Sequence, residues 1–168
     1  MNEITVKAFN DQINAELYSE YLYLSMKAYF QRMNLPGFTN WMDVQTQEER
    51  AHAIGMYDYV IRRGGKVELF AIEKPENDWA SPLEVFEHIL KHEKLVTSKI
   101  NALMDVVEEN KDRAALSFLD WYLKEQVEEE ESVGKVLATL KLIGSDTNSL
   151  LALDKDLATR TFVAPVIG

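Results

Sequence analysis

The chain has 168 residues, 46% of them hydrophobic and 27% charged, which is long enough to bury a core within one folded unit. Its formal net charge of −10 disfavours nucleic acid and anionic membranes as partners and is compatible with cations as ligands. The chain has no cysteine, which excludes disulfides, thiolate metal sites and a cysteine nucleophile. No apolar run approaches the roughly 18 residues of a membrane span, and the polar N-terminus is unlike a signal peptide, so we expect a cytoplasmic protein.

Glycine and proline are few, and they separate four long stretches of helix-forming residues. Ser81 and Pro82 are suited to the N-cap and the first position of the third helix. We interpret the whole chain, residues 1–168, as one domain. The sequence predicts four long helices and a short fifth helix over residues 4–33, 36–63, 82–109, 112–142 and 146–158.

The connections between these helices indicate how they pack. The first and second helices, like the third and fourth, are joined by very few residues, so each pair should be antiparallel. The connection from Gly64 to Ser81 is long, and it carries apolar and β-branched residues near its beginning. Such a segment can cross the full length of a bundle. The predicted fold class is therefore all-α, a four-helix bundle with one long crossover between helices 2 and 3 and a short C-terminal fifth helix.

Each long helix carries a stripe of core positions, spaced alternately by three and four residues. The stripes are mostly apolar, but each is interrupted near the middle of its helix by one glutamate: Glu16, Glu49, Glu93 and Glu129. His52 lies on the second stripe, three residues after Glu49. Because the midpoints of antiparallel helices share one level, we expect four carboxylates and one imidazole to converge at mid-height.

Buried carboxylates need a partner, since burying four of them unpaired would cost many kcal/mol. Carboxylates with one imidazole suit two iron or manganese ions, and the Glu49–His52 spacing lets both side chains reach one metal. Taken singly, a Glu-x-x-His motif is most often surface decoration, and the acidic run 128–131 would be a solvated face. The coincidence of four interrupted stripes at one level favours a metal centre.

The most specific motifs of the four long helices are FNDQINAELYSEYLYLSM, NWMDVQTQEERAHAIGMYDYVIRRGGKVEL, SPLEVFEHILKHEKLVTSKI and FLDWYLKEQVEEEESV. Over residues 3 to about 160 they strongly resemble the non-haem ferritins of bacteria and archaea. The resemblance implies a ferritin-like bundle that oxidises Fe(II) at a di-iron centre inside each subunit, with dioxygen or hydrogen peroxide as oxidant. It also implies a homo-oligomer of 24 subunits, a hollow shell in whose cavity the iron is mineralised.

The same resemblance assigns roles to the predicted ligands. Glu16 and His52 would bind the first iron, Glu49 would bridge both irons, and Glu93 and Glu129 would bind the second.

Further residues take roles through the resemblance alone. Gln126 matches a glutamine beside the dioxygen site, and Tyr23 is similar to a tyrosine near the di-iron centre that could donate an electron. Glu48, Glu125 and Glu128 match a third, cavity-side iron site of prokaryotic ferritins. Of the remaining acids in the run, Glu130 and Glu131 are expected to be solvated.

Differences between this sequence and related families favour a non-haem ferritin over a bacterioferritin or a rubrerythrin. Bacterioferritins and rubrerythrins carry a second Glu-x-x-His on the fourth helix, where this chain reads Gln-Val-Glu-Glu over 126–129. Arg50 aligns with the haem-ligating methionine of bacterioferritins, so we expect no haem. By helical spacing Arg50 should point away from the core and form a surface or interface ion pair.

Two alternatives come from other functional classes. A non-storage di-iron oxidase or peroxidase of the ferritin-like superfamily would stop at a few ions per subunit, whereas a purely structural subunit would lack the ligand set. The route by which iron arrives stays open, because the segment 116–119 is largely apolar where animal ferritins line a channel with acids; Asp112 is a candidate. His88 and His92 are predicted at the surface, and the apolar tail 162–168 has no assigned role.

Overall fold

A computed structural model describes residues 1–167 as a bundle of five helices. The helices are α1 (Glu3–Arg32), α2 (Pro36–Arg62), α3 (Pro82–Glu109), α4 (Arg113–Ile143) and α5 (Thr147–Leu157). The described residues contain no strand, so the predicted all-α class with a short fifth helix is confirmed. Within the same range, no helix is both long and apolar enough to cross a membrane. Gly168, the last residue of the tail, lies outside the described part of the chain.

The long connection between α2 and α3 runs beside α1. The side chain of Asn10, in the first half of α1, donates a hydrogen bond to the backbone oxygen of Lys66 at 3.0 Å. Arg32, the last residue of α1, pairs with Asp78 at 2.8 Å. The connection therefore returns the chain along the bundle, so that α3 begins at the end where α1 finishes. This is the crossover that the sequence predicts.

The buried apolar residues form two clusters at opposite halves of the bundle. One contains the stacked rings of Phe30 and Phe38, with centroids 4.9 Å apart. The other contains the stacked rings of Tyr59 and Phe118, 3.9 Å apart. The helix segments between the clusters contribute a layer of buried polar residues: Gln12, Glu16, Ser19, Gln45, Glu49, His52, His92, Glu93, Gln126 and Glu129.

A buried carboxylate of α5 caps the beginning of α2. No side chain adjoining α2 in sequence caps its first turn. Instead, Asp154 Oδ1 accepts hydrogen bonds from the backbone N–H groups of Gly37 at 2.8 Å and Phe38 at 2.9 Å. These N–H groups have no partner inside a helix, and the positive end of the helix dipole favours a carboxylate there. Asp154 thereby fixes α5 across the end of the bundle.

Gly37 permits this approach because it has no Cβ. A Cβ at this position would lie 1.5 Å from the backbone oxygen of Asp154, which no side-chain rotation can relieve. We expect Gly37→Ala to undock α5 and to lower the free energy of unfolding by about 2–4 kcal/mol. Chemical denaturation at a fixed subunit concentration, with hydrogen exchange over 147–157, measures both effects.

The matched control is Gly134→Ala in the middle of α4. Apart from the backbone of its own helix, a Cβ there meets no atom of residues 1–167 within 4 Å, so alanine should be neutral or stabilise the helix by up to about 1 kcal/mol. If Gly37→Ala were as stable as Gly134→Ala, the capping role of Asp154 would be wrong.

Candidate metal centre

Three of the predicted ligands converge at the middle of the bundle. Glu16 on α1 and Glu49 and His52 on α2 each offer a ligand atom, and these atoms all lie within 4.8 Å of one another. All three residues are at most 2% exposed. His52 Nδ1 lies 3.5 Å from Glu49 Oε2, as expected when residues three apart share one helix face.

The other two predicted ligands enter the same layer from α3 and α4. Glu93 accepts hydrogen bonds from the phenol of Tyr23 and, at 3.3 Å, from the Gln126 side-chain amide. Glu129 accepts a hydrogen bond from the side-chain amide of Gln45 at 2.9 Å. The structure thus places Tyr23 and Gln126 directly beside one carboxylate of the group, and all of these side chains are buried.

Burial dominates the electrostatics of the layer. Loss of hydration raises the pKa of Glu16, Glu49, Glu93 and Glu129, and that of Glu93 rises to about 7. The charges of the other three carboxylates raise the pKa of Glu49 further. Burial has the opposite effect on His52 and lowers its pKa to about 4, so this imidazole is neutral near pH 7 with a lone pair available.

Several buried atoms of this layer have no hydrogen-bond partner among the described residues. They include Glu16 Oε2 and His52 Nε2, both from the converging group. Buried polar atoms are nearly always paired in folded proteins, so unpaired acceptors indicate a ligand. Carboxylate oxygens with one imidazole are the donors that iron and manganese accept. The residues present therefore fit a cation that is held by oxygen and nitrogen.

Two glutamines support the carboxylates and were not assigned a role from the sequence. Gln12 donates a hydrogen bond to Glu16 Oε1 at 2.7 Å, and Gln45 holds Glu129 as described above. Such outer contacts orient ligands and tune a metal site. The signal that could have found them is position, because each lies four residues before a stripe glutamate of its own helix, Glu16 or Glu49.

The prediction that His92 lies at the surface is wrong. His92 is buried, hydrogen-bonded to the hydroxyl of Ser19 at 2.8 Å and packed against the ring of Tyr18. The reason is that α3 packs against both α1 and α4, so its buried face is wider than a single stripe. His88 is half-buried, and its Nδ1 accepts a hydrogen bond from Trp79 at 3.0 Å.

The residues predicted for a third site border an acidic cavity beside the layer. Glu48, Glu125 and Glu128 line it together with Glu129. Ligand atoms of Glu125, Glu129 and His52 lie within 4.8 Å of one another, so this second group shares two members with the central layer. Glu48 also forms an ion pair of 2.6 Å with Arg160, which the sequence did not suggest.

The remaining acids of the run differ from one another. Glu131 is exposed and pairs with Lys135, as expected for a solvated charge. Glu130 is half-buried and accepts a hydrogen bond from Thr97 at 2.7 Å, so its expected solvation is only partial.

Two charged residues outside the layer have structural partners. Arg50 points outward and pairs with Glu20 at 3.3 Å, which confirms the predicted surface ion pair. Asp112 caps α4 and forms an ion pair with Arg63 at 2.9 Å, so this candidate for the iron route is already engaged by an arginine.

The fold and the buried layer together define a helical-bundle protein with a carboxylate-rich site that fits a metal. Residues 6–143 match the Ferritin-like domain family. A bacterial non-heme ferritin of Bacteroides fragilis is 42% identical over 144 residues, which is 86% of this chain and 91% of that protein. A bacterial non-heme ferritin of Staphylococcus aureus is 39% identical over 157 residues, 94% of this chain and 95% of the relative.

Solved structures agree with the sequence relatives. An open pore ferritin from the hyperthermophilic archaeon Archaeoglobus fulgidus is 51% identical, with a TM-score of 0.94 over 96% of this chain and 99% of that one. The chain belongs to the ferritin-like family, among the prokaryotic non-haem ferritins. It is accordingly an iron-storage protein with ferroxidase activity, an iron-binding member of a family that forms homo-oligomeric shells.

Proposed function

We propose that each subunit oxidises Fe(II) at a di-iron centre built from Glu16, Glu49, His52, Glu93 and Glu129. The subunits would form a hollow shell of 24 copies in the cytoplasm, and Fe(III) would be mineralised in its cavity. The observation that carries the proposal is one buried layer to which each long helix contributes a donor. Within it, ligand atoms of Glu16, Glu49 and His52 lie within 4.8 Å of one another, and Glu16 and His52 each have an atom without a hydrogen-bond partner among residues 1–167.

Glu49 is suited to the bridging position. Its ligand atom lies within 4.8 Å of those of Glu16 and His52, and its pKa responds to the charges of Glu93 and Glu129 on the opposite helices. Glu16 and His52 would complete the site on the α1 side. Glu93 and Glu129 would complete the site on the side of α3 and α4. The two Fe(II) ions are the substrate, and each gives up one electron to dioxygen or peroxide.

The protonation of the carboxylates, of His52 and of Tyr23 affects how the centre binds cations. Since burial raises the pKa of the four carboxylates, binding of Fe(II) displaces protons from them. His52 needs no deprotonation, because its pKa is already lowered to about 4. The pKa of Tyr23 is raised well above its usual value by burial and then by Glu93, so the phenol keeps its proton and holds Glu93 in place. Gln126 gives Glu93 a second, longer contact.

Glu129 lies between the proposed di-iron centre and the acidic cavity at the surface of the subunit. It belongs to the central layer and also to the second group, with His52 and Glu125. Glu48 and Glu128 lie farther out along the same acidic cavity. We infer that this cavity holds a third iron and is the direction in which oxidised iron leaves, with carboxylates available at each step.

Iron loading of the sized protein tests the proposal. Fe(II) is added in increments to the aerated, iron-free assembly, while stopped-flow absorbance follows oxidation and light scattering gives the mass. We expect rapid oxidation that saturates at about two Fe per subunit, followed by slower uptake of many more ions. Oxidation that stops at the first step on a small oligomer would instead indicate the non-storage oxidase or peroxidase.

A further inference from the structure

Arg160 lies where the third iron is proposed to bind. It follows α5, and its side chain borders the cavity of about 430 Å³ that Glu48, Glu125, Glu128 and Glu129 line. With Glu131, five glutamates line this cavity, and they meet an arginine from another part of the chain. No role for Arg160 follows from the proposed di-iron centre.

The position of Arg160 is fixed by three contacts of different kinds. Its Nη2 donates to Glu48 Oε2 at 2.6 Å, and its guanidinium carbon lies 4.7 Å from the ring centroid of Trp41. Its backbone oxygen accepts a hydrogen bond from the side chain of Asn40 at 2.9 Å. An arginine that is stacked on an indole and hydrogen-bonded at its backbone has lost most of its freedom before it meets the carboxylate.

The carboxylates around Arg160 are crowded. Ligand atoms of Glu125, Glu129 and His52 lie within 4.8 Å of one another, and Glu48 and Glu128 line the same cavity. Like charges so close together repel one another, and the guanidinium paired with Glu48 offsets part of that repulsion.

The ion pair between Arg160 and Glu48 leaves polar atoms without partners on the arginine and among the nearby residues of the central layer. Nη1 of Arg160 is buried without a hydrogen-bond partner among residues 1–167, so its fork engages Glu48 through one nitrogen only. On the acid side, buried His52 has an unpaired Nε2 and offers a ligand atom within 4.8 Å of those of Glu125 and Glu129. A buried ring nitrogen near two carboxylates is a donor set that suits a metal ion.

We propose that Arg160 is a tethered cation that occupies the third metal site of the iron-free subunit and competes there with the incoming ion. The inference rests on the proposed third site. A metal that binds Glu48 through Oε2 displaces the guanidinium, and one that binds near it meets the positive charge, so the affinity for the metal is lowered. Arg160 is a positioning residue, since its ion pair holds Glu48 and its charge shortens the stay of the third ion.

The test uses Zn²⁺, a redox-inert probe, titrated into the assembled iron-free protein by calorimetry. In Arg160→Gln, the weakest of the bound ions is expected to bind about tenfold more tightly or better, because a positive charge a few ångströms away is removed. The matched control is Lys135→Gln. Lys135 lines the same cavity but pairs with Glu131. Its replacement by Gln changes the net charge equally and is expected to leave the affinity for Zn²⁺ within about twofold of the wild type.

Equal tightening in both variants would overturn the proposal, since it would show a general charge effect. No tightening in Arg160→Gln would also overturn it. Light scattering and circular dichroism verify assembly and helicity. If Arg160→Gln does not assemble, the same Zn²⁺ titration of Arg160→Lys tests the proposal. A strongly hydrated ammonium without the planar fork should hold Glu48 less well. We then expect tightening of a few fold, and wild-type affinity would contradict the proposal.

A further variant separates this inference from the function on which it rests. Glu125→Gln removes a carboxylate of the third site but does not contact Arg160 directly in the observed hydrogen bonds. If Glu125→Gln binds as many Zn²⁺ ions per subunit as the wild type and as tightly, the proposed third site fails. If Glu125→Gln loses an ion but Arg160→Gln shows no tightening, only the role of Arg160 fails.

Discussion

Replacing Glu49 by Gln is expected to lower the rate of rapid Fe(II) oxidation by at least about 100-fold, and His52→Ala should do the same. Glu49 is the proposed bridging carboxylate, so its replacement would remove the bridge and one negative charge together. His52 is the only imidazole among the five proposed ligands. Stopped-flow absorbance of the first phase, at about two Fe per subunit, measures the effect.

The control for Glu49→Gln is Glu108→Gln, the same chemical change at an exposed position of α3. It should oxidise Fe(II) at the wild-type rate. Circular dichroism should show unchanged helicity in every variant, because the two apolar clusters are untouched. Rapid oxidation that persists in Glu49→Gln and His52→Ala would contradict the site assignment.

In the iron-free protein, Glu93→Gln is expected to increase stability at neutral and alkaline pH by about 3 kcal/mol. Burial raises the pKa of Glu93 from its usual 4.5 to about 7. The wild type folds without penalty below pH 4.5, where this carboxyl is protonated in both states. Between pH 4.5 and 7 the unfolded state ionises this group while the folded state keeps it protonated, so the stability of the wild type falls across this range. The glutamine side chain does not titrate. The difference in the free energy of unfolding between variant and wild type therefore grows from pH 4.5 to 7 and is constant above pH 7.

Denaturant unfolding at pH 4.5 and pH 8 measures this difference directly. His52 titrates in the opposite sense, since its lowered pKa of about 4 costs stability as pH falls below 6.5, but it is common to both proteins and cancels. A stability difference of the same size at both pH values would contradict the account. When Zn²⁺ is present at pH 8, the order should reverse, because the wild type then binds the cation more strongly.

The helices could be predicted because their ends carry local signals. Ser81 accepts a hydrogen bond from the backbone N–H of Glu84, and Asp112 and Asp146 cap α4 and α5 in the same way. The four stripe glutamates could be predicted for a related reason. The residues of a buried helix face recur every three to four positions, so a charged residue among these apolar positions can be recognised from the sequence.

Contacts between distant segments could not be predicted in this way. Asp154 caps a helix that begins more than 100 residues earlier, and no local pattern marks it as different from other acids of α5. The same holds for Arg160, which meets Glu48 only because the chain after α5 passes that face of the bundle. His92 was misplaced because the width of the buried face of α3 depends on its packing partners rather than on its own sequence.

The end of the tail shows the same limit. Ile167 packs in the apolar cluster beside Tyr122, and a Cβ on Gly55 would meet its side chain at 2.6 Å. The sequence showed that residues 162–168 are apolar, but their place depends on a small residue of α2 that leaves room for them.

A crystal of the protein soaked anaerobically with Fe(II), with anomalous scattering recorded at the iron edge, would test the di-iron centre directly. Two iron peaks are expected inside each subunit, one bound by Glu16 and His52, the other by Glu93 and Glu129, with Glu49 between them. Iron found only at the cavity surface, or a single peak that Glu49 does not contact, would contradict it.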